Sequence, residues 1–597
     1  MLGNHRVLGH VRARVQSVCL VLLVFVVSTS LTARFYGNLD LPSSFKTTSS
    51  GSYKPSTLPP STSSSSTSSS STIARLNIQL RPEDHITREP TTLSFKWRVT
   101  SVLQYPDGVE KLVFLINGQF PGPTIEARSG DRLVIELENG LKTSHTAIHW
   151  HGIQMEDANA MDGAVGVTQS AIKPGEMFIY NFTISSSEHG TFWYHAHDQV
   201  QRADGLYGGL IVHKPFQQDS RRGSASSIAT EQLLMVSDWY HRSATDVLSK
   251  YMSPGSFGHE PVPDSLLLNG RGSYNCSMVV PARPVVCTSI ERPTISLPPI
   301  GRTKLRVINV GSFAGVEVKL PDFDMALVEI DGGNAVTTAN LAKVNKVIWP
   351  GQRADLDISP SSTALNTPHI SIELSHENFK YSNPALATVH NFSITYQEPP
   401  LRKPCGKHRV AQESRGTWVD KPIPMALEAD KTIVLYSTTL KLSHLANIPH
   451  GFVNHTSWAP QDPPLISVDR TLWNDNQLVA HIPYNDSHPL WVDIVLNNLD
   501  EDSHSWHLHG HSFYVIASHT ASFGWGSYNP YVDTELPGGA LDLTDPPMRD
   551  TVYVPRRGYV ILRFRAGNPG IWMLHCHMLW HQASGMAMAL QVGNGSL

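Results

Sequence analysis

The stretch IWMLHCHMLWHQASGM, residues 571–586, places a cysteine between two histidines and follows them with a third histidine and a methionine. In an extended strand, side chains at positions i and i+2 share one face. His575 and His577 therefore point to one side of the strand while Cys576 points to the other. The cysteine can bind one metal ion while its covalent neighbours bind others, and the backbone between them is a short path for electrons.

Three other segments repeat the His-x-His spacing and supply further candidate ligands. They are IHWHG with His149 and His151, WYHAH with His195 and His197, and HSWHLHGH with His504, His507, His509 and His511. One cysteine, two histidines and a weakly bound methionine are the ligands of a blue-copper site. Cys576, His581 and Met586 supply three of these in one loop, and His504 can complete the set. A structural zinc site would instead favour paired cysteines.

Several other histidines are predicted to have no metal-binding role. If the strand continues past Gly510, His511 faces away from the ligand pattern. The remaining ones are predicted to lie at the surface or in turns: His145, His189, His213 and His241.

Composition excludes several classes of function. The chain has 597 residues, of which 40% are hydrophobic, as is ordinary for a globular protein. Its net charge is −4 and the folded part contains no basic block, so nucleic acid is not expected as a partner. With 5 cysteines the chain is not a disulfide scaffold, although Cys276 and Cys287 lie in one loop and could pair.

Short runs rich in Val, Ile and Leu, bounded by Gly, Pro and Asn, predict an all-β fold. Examples are KLVFLINGQF, DRLVIELENG, TKLRVINV, WVDIVLNN and YVILRFRAG. Regular turn signals indicate β-sandwiches. Two polar, proline-containing segments separate three of them, which we place at residues 87–217, 228–397 and 420–597.

The N-terminal region predicts export. Three arginines precede the apolar run VCLVLLVFVV, Val18–Val27. Residues 1–33 are therefore either a cleaved signal peptide or a signal anchor that holds the chain at a membrane. Residues 34–86, rich in Ser, Thr and Pro, are predicted to form a disordered stalk.

Six N-x-[ST] sequons agree with a route through the secretory pathway, ending at the cell wall, in the medium or at a membrane surface. They begin at Asn181, Asn275, Asn391, Asn454, Asn485 and Asn594. Each triplet is weak by itself. Together with the N-terminal segment they predict N-glycans.

The four histidine segments resemble the four copper-binding motifs of the multicopper oxidases, the family of laccases, ascorbate oxidases and ferroxidases. The motifs occur in the family's order within residues 90–597. The resemblance implies three cupredoxin-like Greek-key domains and four copper ions: one of type 1, one of type 2 and two of type 3. The implied ligands are His504, Cys576, His581 and axial Met586 for type 1, His149 and His507 for type 2, and His151, His195 and His577 on one type 3 ion and His197, His509 and His575 on the other.

The resemblance also implies the reaction. A donor gives single electrons to the type 1 ion, the electrons pass through Cys576, and O2 is reduced to two waters. Asp162, in MDGAVGVTQ, matches a family carboxylate that helps to deliver protons. Many members carry another acidic residue two positions before the last histidine, where this chain has Leu579. We expect the proton route to differ at that point.

The copper motifs do not fix the electron donor. Iron oxidases of the yeast type resemble one another in a Glu before WYH in the second domain. The corresponding phrase here is MVSDWYH, with Asp238, as in laccase-like members in which the aspartate contacts the phenol. We therefore expect a laccase-like oxidase of phenols, such as those of pigment or secondary-metabolite pathways. Ferroxidase and then ascorbate oxidase activity are the alternatives, because a carboxylate oxygen also binds iron.

Overall fold

The structure is a computed structural model that describes residues 76–215, 228–361, 368–397 and 425–593. The predicted signal segment at residues 1–33, most of the predicted stalk, Cys19, Cys405 and the sequon at Asn594 lie outside these residues. In the described part of the chain, no helix is both long and apolar enough to cross a bilayer.

The chain is built mainly of strands. The first third contains β1 (Ile78–Leu80), β2 (Thr92–Gln104), β3 (Lys111–Ile116), β4 (Ile125–Arg128), β5 (Arg132–Asn139), β6 (Ile148–His151), β7 (Met177–Thr183), β8 (Gly190–Ala196) and β9 (Tyr207–His213). The second contains β10 (Ile228–Trp239), α1 (Ala244–Tyr251), β11 (Ser265–Leu268), β12 (Thr294–Leu297), β13 (Arg302–Asn309), β14 (Val316–Lys319), β15 (Phe323–Ile330), β16 (Asn334–Ala335), β17 (Arg353–Pro360), β18 (His369–Leu374) and β19 (Val389–Tyr396). The last contains β20 (Lys431–Lys441), β21 (Pro449–Val453), β22 (Val479–Ile482), β23 (Trp491–Asn498), β24 (His504–Leu508), β25 (Phe513–Thr520), β26 (Met548–Arg549), β27 (Thr551–Val554), β28 (Gly558–Arg565), β29 (Gly570–Cys576), α2 (Leu579–Ala583) and β30 (Ala587–Val592).

The strands form sheets that repeat one topology three times. The first sandwich has sheets β3-β2-β5-β7 and β4-β9-β8-β6. The second has β1-β10-β13-β17-β15-β16, with β11 on β10, and β12-β19-β18-β14. The third has β21-β20-β23-β28-β25-β26 and β22-β30-β29-β24-β27. Each contains a parallel pair followed by an antiparallel partner, namely β2/β5/β7, β10/β13/β17 and β20/β23/β28. The predicted all-β fold with three sandwiches is confirmed.

A buried asparagine ends the equivalent central strand of each repeat: Asn139 on β5, Asn309 on β13 and Asn498 on β23. In each case the side-chain oxygen accepts the backbone N–H two residues later, and the side-chain NH2 donates to two backbone carbonyls. These bonds satisfy backbone groups that leave the sheet at a buried turn. The Asn-containing turn therefore serves the same purpose in all three repeats.

The predicted stalk, residues 34–86, extends too far. Strand β1 lies within it and pairs antiparallel with β10, so that Ile78 faces Leu233. Leu76 and Leu80 are buried. This short apolar strand follows a Ser- and Pro-rich region and could not be recognised from the sequence, because its partner in the second sandwich lies more than 150 positions away.

Cys276 and Cys287, whose pairing the sequence left open, form a disulfide in the second sandwich. Cys576, in contrast, is a free and buried cysteine.

Candidate metal centre

Paired strands bring the histidine segments together at the junction of the first and third sandwiches. On β6 and β8, His149 lies opposite His195. On β24 and β29, His507 lies opposite His575, and Trp506 lies opposite Cys576. The four predicted segments therefore form two facing strand pairs.

Eight histidines converge there, and we call them the eight-histidine cluster. They are His149, His151, His195, His197, His507, His509, His575 and His577, and all are buried. Their donor atoms form three sets, each within 4.8 Å: His149, His151 and His507; His151, His195 and His577; His197, His509 and His575. The last two sets are the two trios that the sequence predicted, and the first contains the predicted pair His149 and His507.

Hydrogen bonds fix which ring nitrogens face the centre of the cluster. His149 Nδ1–H donates to the Asp162 carbonyl oxygen at 2.8 Å, and His507 Nδ1–H donates to that of Asp550 at 2.9 Å. This leaves the Nε2 atoms of His149 and His507 3.4 Å apart. Second partners of this kind select the tautomer and aim the free lone pair at a metal ion.

The cluster fits a group of metal ions. In the described part of the chain, His151 Nδ1 and His195 Nε2 are buried with no hydrogen-bond partner, and such atoms are costly to bury. Burial also lowers the pKa of both histidines well below its usual value, and it lowers the pKa of His509 to about 3. Neutral imidazole is the form that binds metals.

A second group, which we call the Cys576 site, lies on the other side of β29. Cys576 Sγ is 3.6 Å from His504 Nδ1 and 3.7 Å from His581 Nδ1, and these two nitrogens are 3.0 Å apart. Burial acts to raise the pKa of the thiol, but hydrogen bonds from both histidines outweigh it and lower that pKa to about 6. The thiolate is the form that binds metal.

Met586 is buried beside this site. Its carbonyl oxygen accepts Cys576 N–H at 3.0 Å, and its N–H donates to the His581 carbonyl at 3.0 Å. The backbone of Met586 thus bridges the two predicted type 1 ligands. Its role as axial ligand stays a prediction.

Asp162 lies against the eight-histidine cluster. Its carboxylate accepts His509 Nδ1–H at 2.8 Å and lies 3.3 Å from His149 Nδ1. Burial opposes ionisation, but the two histidines outweigh it and hold the pKa of Asp162 well below its usual value. The carboxylate therefore remains charged and orients two histidines at once.

Sequence comparison now places this arrangement in a known family. Residues 98–217, 230–363 and 437–596 each match a multicopper oxidase domain. The chain belongs to the multicopper oxidase family. It is a copper-dependent oxidoreductase that uses O2, and its cofactor is copper in sites of types 1, 2 and 3.

Relatives of this multicopper oxidase have names that refer to different activities. Laccase-2 of Cryptococcus neoformans var. grubii serotype A is 31% identical, over 84% of each chain. The iron transport multicopper oxidase fetC of Epichloe festucae is 33% identical, over 83% of this chain and 75% of its own. L-ascorbate oxidase of Brassica rapa subsp. pekinensis is 30% identical, over 85% of this chain and 93% of its own.

Solved structures agree with the fold. That of Fet3p, described as a multicopper oxidase that functions in iron import, matches with a TM-score of 0.67 and 26% identity, over 84% of this chain and 90% of that one. Laccase from Botrytis aclada matches in fold with a TM-score of 0.66 at 24% identity, over 86% of this chain and 90% of that one.

The interpretation of Asp238 as a donor contact is wrong. Asp238 is only 1% exposed, and its carboxylate accepts the backbone N–H groups of Ser312, Phe313 and Ala314 at 2.7–2.8 Å. Burial raises its pKa despite these bonds. Asp238 therefore anchors the loop that places Phe313 against His581, with ring centroids 6.2 Å apart.

Two carboxylates that the sequence analysis did not identify, those of Glu260 and Asp500, touch the histidines predicted to bind type 1 copper. Glu260 Oε1 accepts His581 Nε2–H at 3.1 Å, and Asp500 Oδ2 accepts His504 Nε2–H at 3.1 Å. Asp500 is four residues before His504, so this pair could have been found from spacing. Glu260 is 321 positions from His581 and carries no such signal.

Asp550 and Arg202 were also missed, and both lie at the eight-histidine cluster. Asp550 Oδ1 is 3.3 Å from His151 Nε2, and its carboxylate forms a buried two-point ion pair with Arg353 at 2.6 and 2.5 Å. Arg202 donates to the His577 ring at 2.8 Å and to the His577 carbonyl at 2.8 Å. Burial lowers the pKa of Arg202 to about 9.

Two of the histidines that were predicted to lie at the surface or in turns have buried side chains. His213 is only 2% exposed and pairs with Glu126, and the buried side chain of His241 pairs with Asp107. Each histidine is buried because a carboxylate offers it a partner. His511, predicted not to be a ligand, packs against Phe564 and Trp572.

Proposed function

We propose that this multicopper oxidase oxidises phenols beside the Cys576 site and reduces O2 to water at the eight-histidine cluster. The observation that carries the proposal is the carboxylate of Glu260. One of its oxygens accepts a hydrogen bond from His581, and the other is buried with no hydrogen-bond partner among the described residues. Glu260 is itself only 6% exposed, but this oxygen accepts no hydrogen bond, whereas both oxygens of Asp238 do. It can therefore take the proton that a phenol loses when it gives up an electron.

The proposed ligand sets follow the groups that the fold brings together. They are His504, Cys576 and His581 with axial Met586 for type 1, His149 and His507 for type 2, and His151, His195 and His577 together with His197, His509 and His575 for the type 3 pair. When bound, copper supplies the one-electron chemistry that links the donor to O2. Cys576 is covalently joined to His575 and His577, so the chain itself connects the two sites.

On the cluster side, Asp162 and Asp550 are the proposed carboxylates for proton supply. They contact different histidines, Asp162 at His509 and Asp550 at His151. Leu579, which replaces the acidic residue of many relatives, is buried and carries no proton. We therefore propose that Asp550 supplies protons in place of the acidic residue that Leu579 replaces.

Exposed aromatic side chains on or against the chain segment that leads to Glu260 also support a phenol as donor. Phe257, three residues before Glu260, is 67% exposed, and Tyr381 is 58% exposed. Tyr381 packs on the ring of His259, with centroids 4.9 Å apart. Exposed aromatic rings offer a surface on which an aromatic donor can stack.

Ferrous iron is the second candidate, because three carboxylates lie near the type 1 histidines. Two of them are already occupied, however. Asp500 accepts hydrogen bonds from Thr438 and Thr439 as well as from His504, and Asp502 pairs with Lys380 at 2.5 Å. Glu260 keeps one oxygen without a hydrogen bond and, among the described residues, has no lysine or arginine partner. This suits a single proton better than a metal ion that needs several oxygen ligands.

Substitution of Glu260 and Asp502 separates the two donors. For phenol oxidation, we expect Glu260→Gln to lower kcat/KM by about 100-fold, since a proton acceptor is lost. The matched change Asp502→Asn, which removes an ion-paired carboxylate, should leave phenol oxidation within about twofold. Oxygen uptake with a dihydroxynaphthalene and with ferrous iron measures both rates.

The opposite pattern would overturn the proposal. If ferrous iron is oxidised faster than the phenol, and both substitutions reduce iron oxidation, the carboxylates act as an iron site. Visible absorption of each variant shows whether its type 1 copper is intact.

We further propose that the chain passes through the secretory pathway and carries N-glycans, whether released or held by its N-terminal segment. Asn181, Asn275, Asn391 and Asn485 are exposed. Asn454 is half-buried, and its side-chain oxygen accepts Tyr436 N–H at 3.0 Å. Glycopeptide mapping should therefore find the four exposed sites occupied more fully than Asn454.

A further inference from the structure

A fifth group of metal-binding side chains lies in the first sandwich, outside the copper sites. Its members are His85, Glu126 and His213, whose donor atoms all lie within 4.8 Å of one another. Glu126 is on β4 and His213 ends β9, its parallel neighbour, while His85 comes from the segment between β1 and β2. Residues distant in sequence thus meet at one sheet edge.

The contacts among the three side chains are close. His213 Nε2–H donates to Glu126 Oε2 at 2.8 Å, and the rings of His85 and His213 stack with centroids 5.1 Å apart. His213 is buried, whereas His85 is partly exposed and the Glu126 side chain is 19% exposed. An ion from solvent can therefore reach a site whose inner ligand is held in place.

We propose that His85, Glu126 and His213 form a binding site for a divalent transition-metal ion of the zinc type. Two histidines and one glutamate are an established zinc ligand set, with a fourth position left to water. Tetrahedral ligands at zinc distances lie about 3.4 Å apart. No pair of donor atoms has to close by more than roughly 1.4 Å to reach that geometry. His213 Nε2 and Glu126 Oε2, at 2.8 Å, have to separate by roughly 0.6 Å, and the proton between them has to leave to solvent.

Arg88 competes with the ion for His85. It donates to His85 Nδ1 at 3.1 Å while pairing with Asp131 through both carboxylate oxygens. A donor at Nδ1 requires the lone pair there, and so the proton on Nε2. Binding of zinc through Nε2 requires the reverse tautomer, so it must release the contact between Arg88 and His85.

Zinc titration of the copper-loaded, full-length protein tests the site, with calorimetry for affinity and elemental analysis for stoichiometry. We expect one Zn²⁺ per chain beyond the copper content. His213→Asn and Glu126→Gln should each weaken its binding by at least about tenfold. Arg88→Met should strengthen it, because the competitor for His85 is gone. His519→Asn, which changes a histidine on β25 of the third sandwich, should bind zinc as the unaltered chain does.

The proposal is overturned if the copper-loaded chain binds no zinc, or if His213→Asn binds it as tightly as the unaltered chain. Weaker binding in Arg88→Met would also contradict the competition with His85. Unchanged visible absorption in each variant shows that the fold and the copper sites survive, so the test is independent of the donor proposed above.

Discussion

At the scale of single residues, Cys576 is the point where the two metal sites meet. Its thiol faces His504 and His581, while the two residues beside it belong to the eight-histidine cluster. The alternation of a strand is enough to place these side chains on opposite faces. The predicted separation of the two sites was therefore available from HCH alone.

Replacing Cys576 with Ser should abolish the blue absorption band and lower turnover below detection, because serine cannot supply a thiolate ligand. His149 and His509 keep their bonds to Asp162, and His507 keeps its bond to Asp550. Copper of types 2 and 3 should therefore remain. Visible and EPR spectroscopy with a copper count measure both outcomes. A Cys576→Ser protein that is still blue would remove Cys576 from the type 1 site.

Residues that act through contacts distant in sequence could not be predicted. Glu260 meets His581, and Arg353 meets Asp550, only because different sandwiches come together. Asp238 shows the opposite error, since a motif suggested a donor contact where the fold buries the carboxylate under three backbone N–H groups. Spacing along one strand predicts which side chains share a face, whereas contacts between sandwiches cannot be predicted from local sequence patterns.

At the scale of elements, the three-fold repeat of strand pairing gives each sandwich an equivalent turn closed by asparagine. Short apolar runs predicted the strands, and the Gly, Pro and Asn residues that bound them predicted turns. The pairing register of the strands could not be predicted, because it depends on parallel partners such as β2 with β5. Strand β1 was missed for the same reason, as its partner β10 belongs to another part of the chain.

Replacing Asn309 with Ala should lower the free energy of unfolding by about 1–3 kcal/mol, because a buried carbonyl and a buried N–H lose their partners. Asn309 Nδ2 donates to the Ala314 carbonyl at 2.9 Å, and its Oδ1 accepts Gly311 N–H at 2.9 Å. Urea denaturation measures the change. Asn474→Ala, at an exposed asparagine, should change it by less than about 0.5 kcal/mol. Equal effects of the two substitutions would contradict a special role for this turn.

At the scale of the whole molecule, the first and third sandwiches each supply four histidines to the eight-histidine cluster. The second sandwich supplies none of them but contributes Glu260, Asp238 and Arg353. The ion pair between Arg353 and Asp550 joins the second and third sandwiches beside His151. The middle sandwich therefore holds the copper-binding halves in position.

Replacing Arg353 with Leu should lower the free energy of unfolding by about 3–5 kcal/mol, because Asp550 keeps a buried charge without its partner. The same change should weaken copper binding at the cluster while the blue band remains. Thermal unfolding and EPR measure these effects. In the double variant Arg353→Leu with Asp550→Leu, much of the stability should return. A double variant no more stable than Arg353→Leu would show that the unpaired charge is not the cause.

The stoichiometry of oxygen uptake by the copper-loaded chain with a phenolic donor tests the proposed reaction most directly. We expect four phenol molecules to be oxidised, by one electron each, for every O2 consumed, with water and no hydrogen peroxide as product. Formation of hydrogen peroxide, or uptake with ferrous iron but none with the phenol, would contradict it.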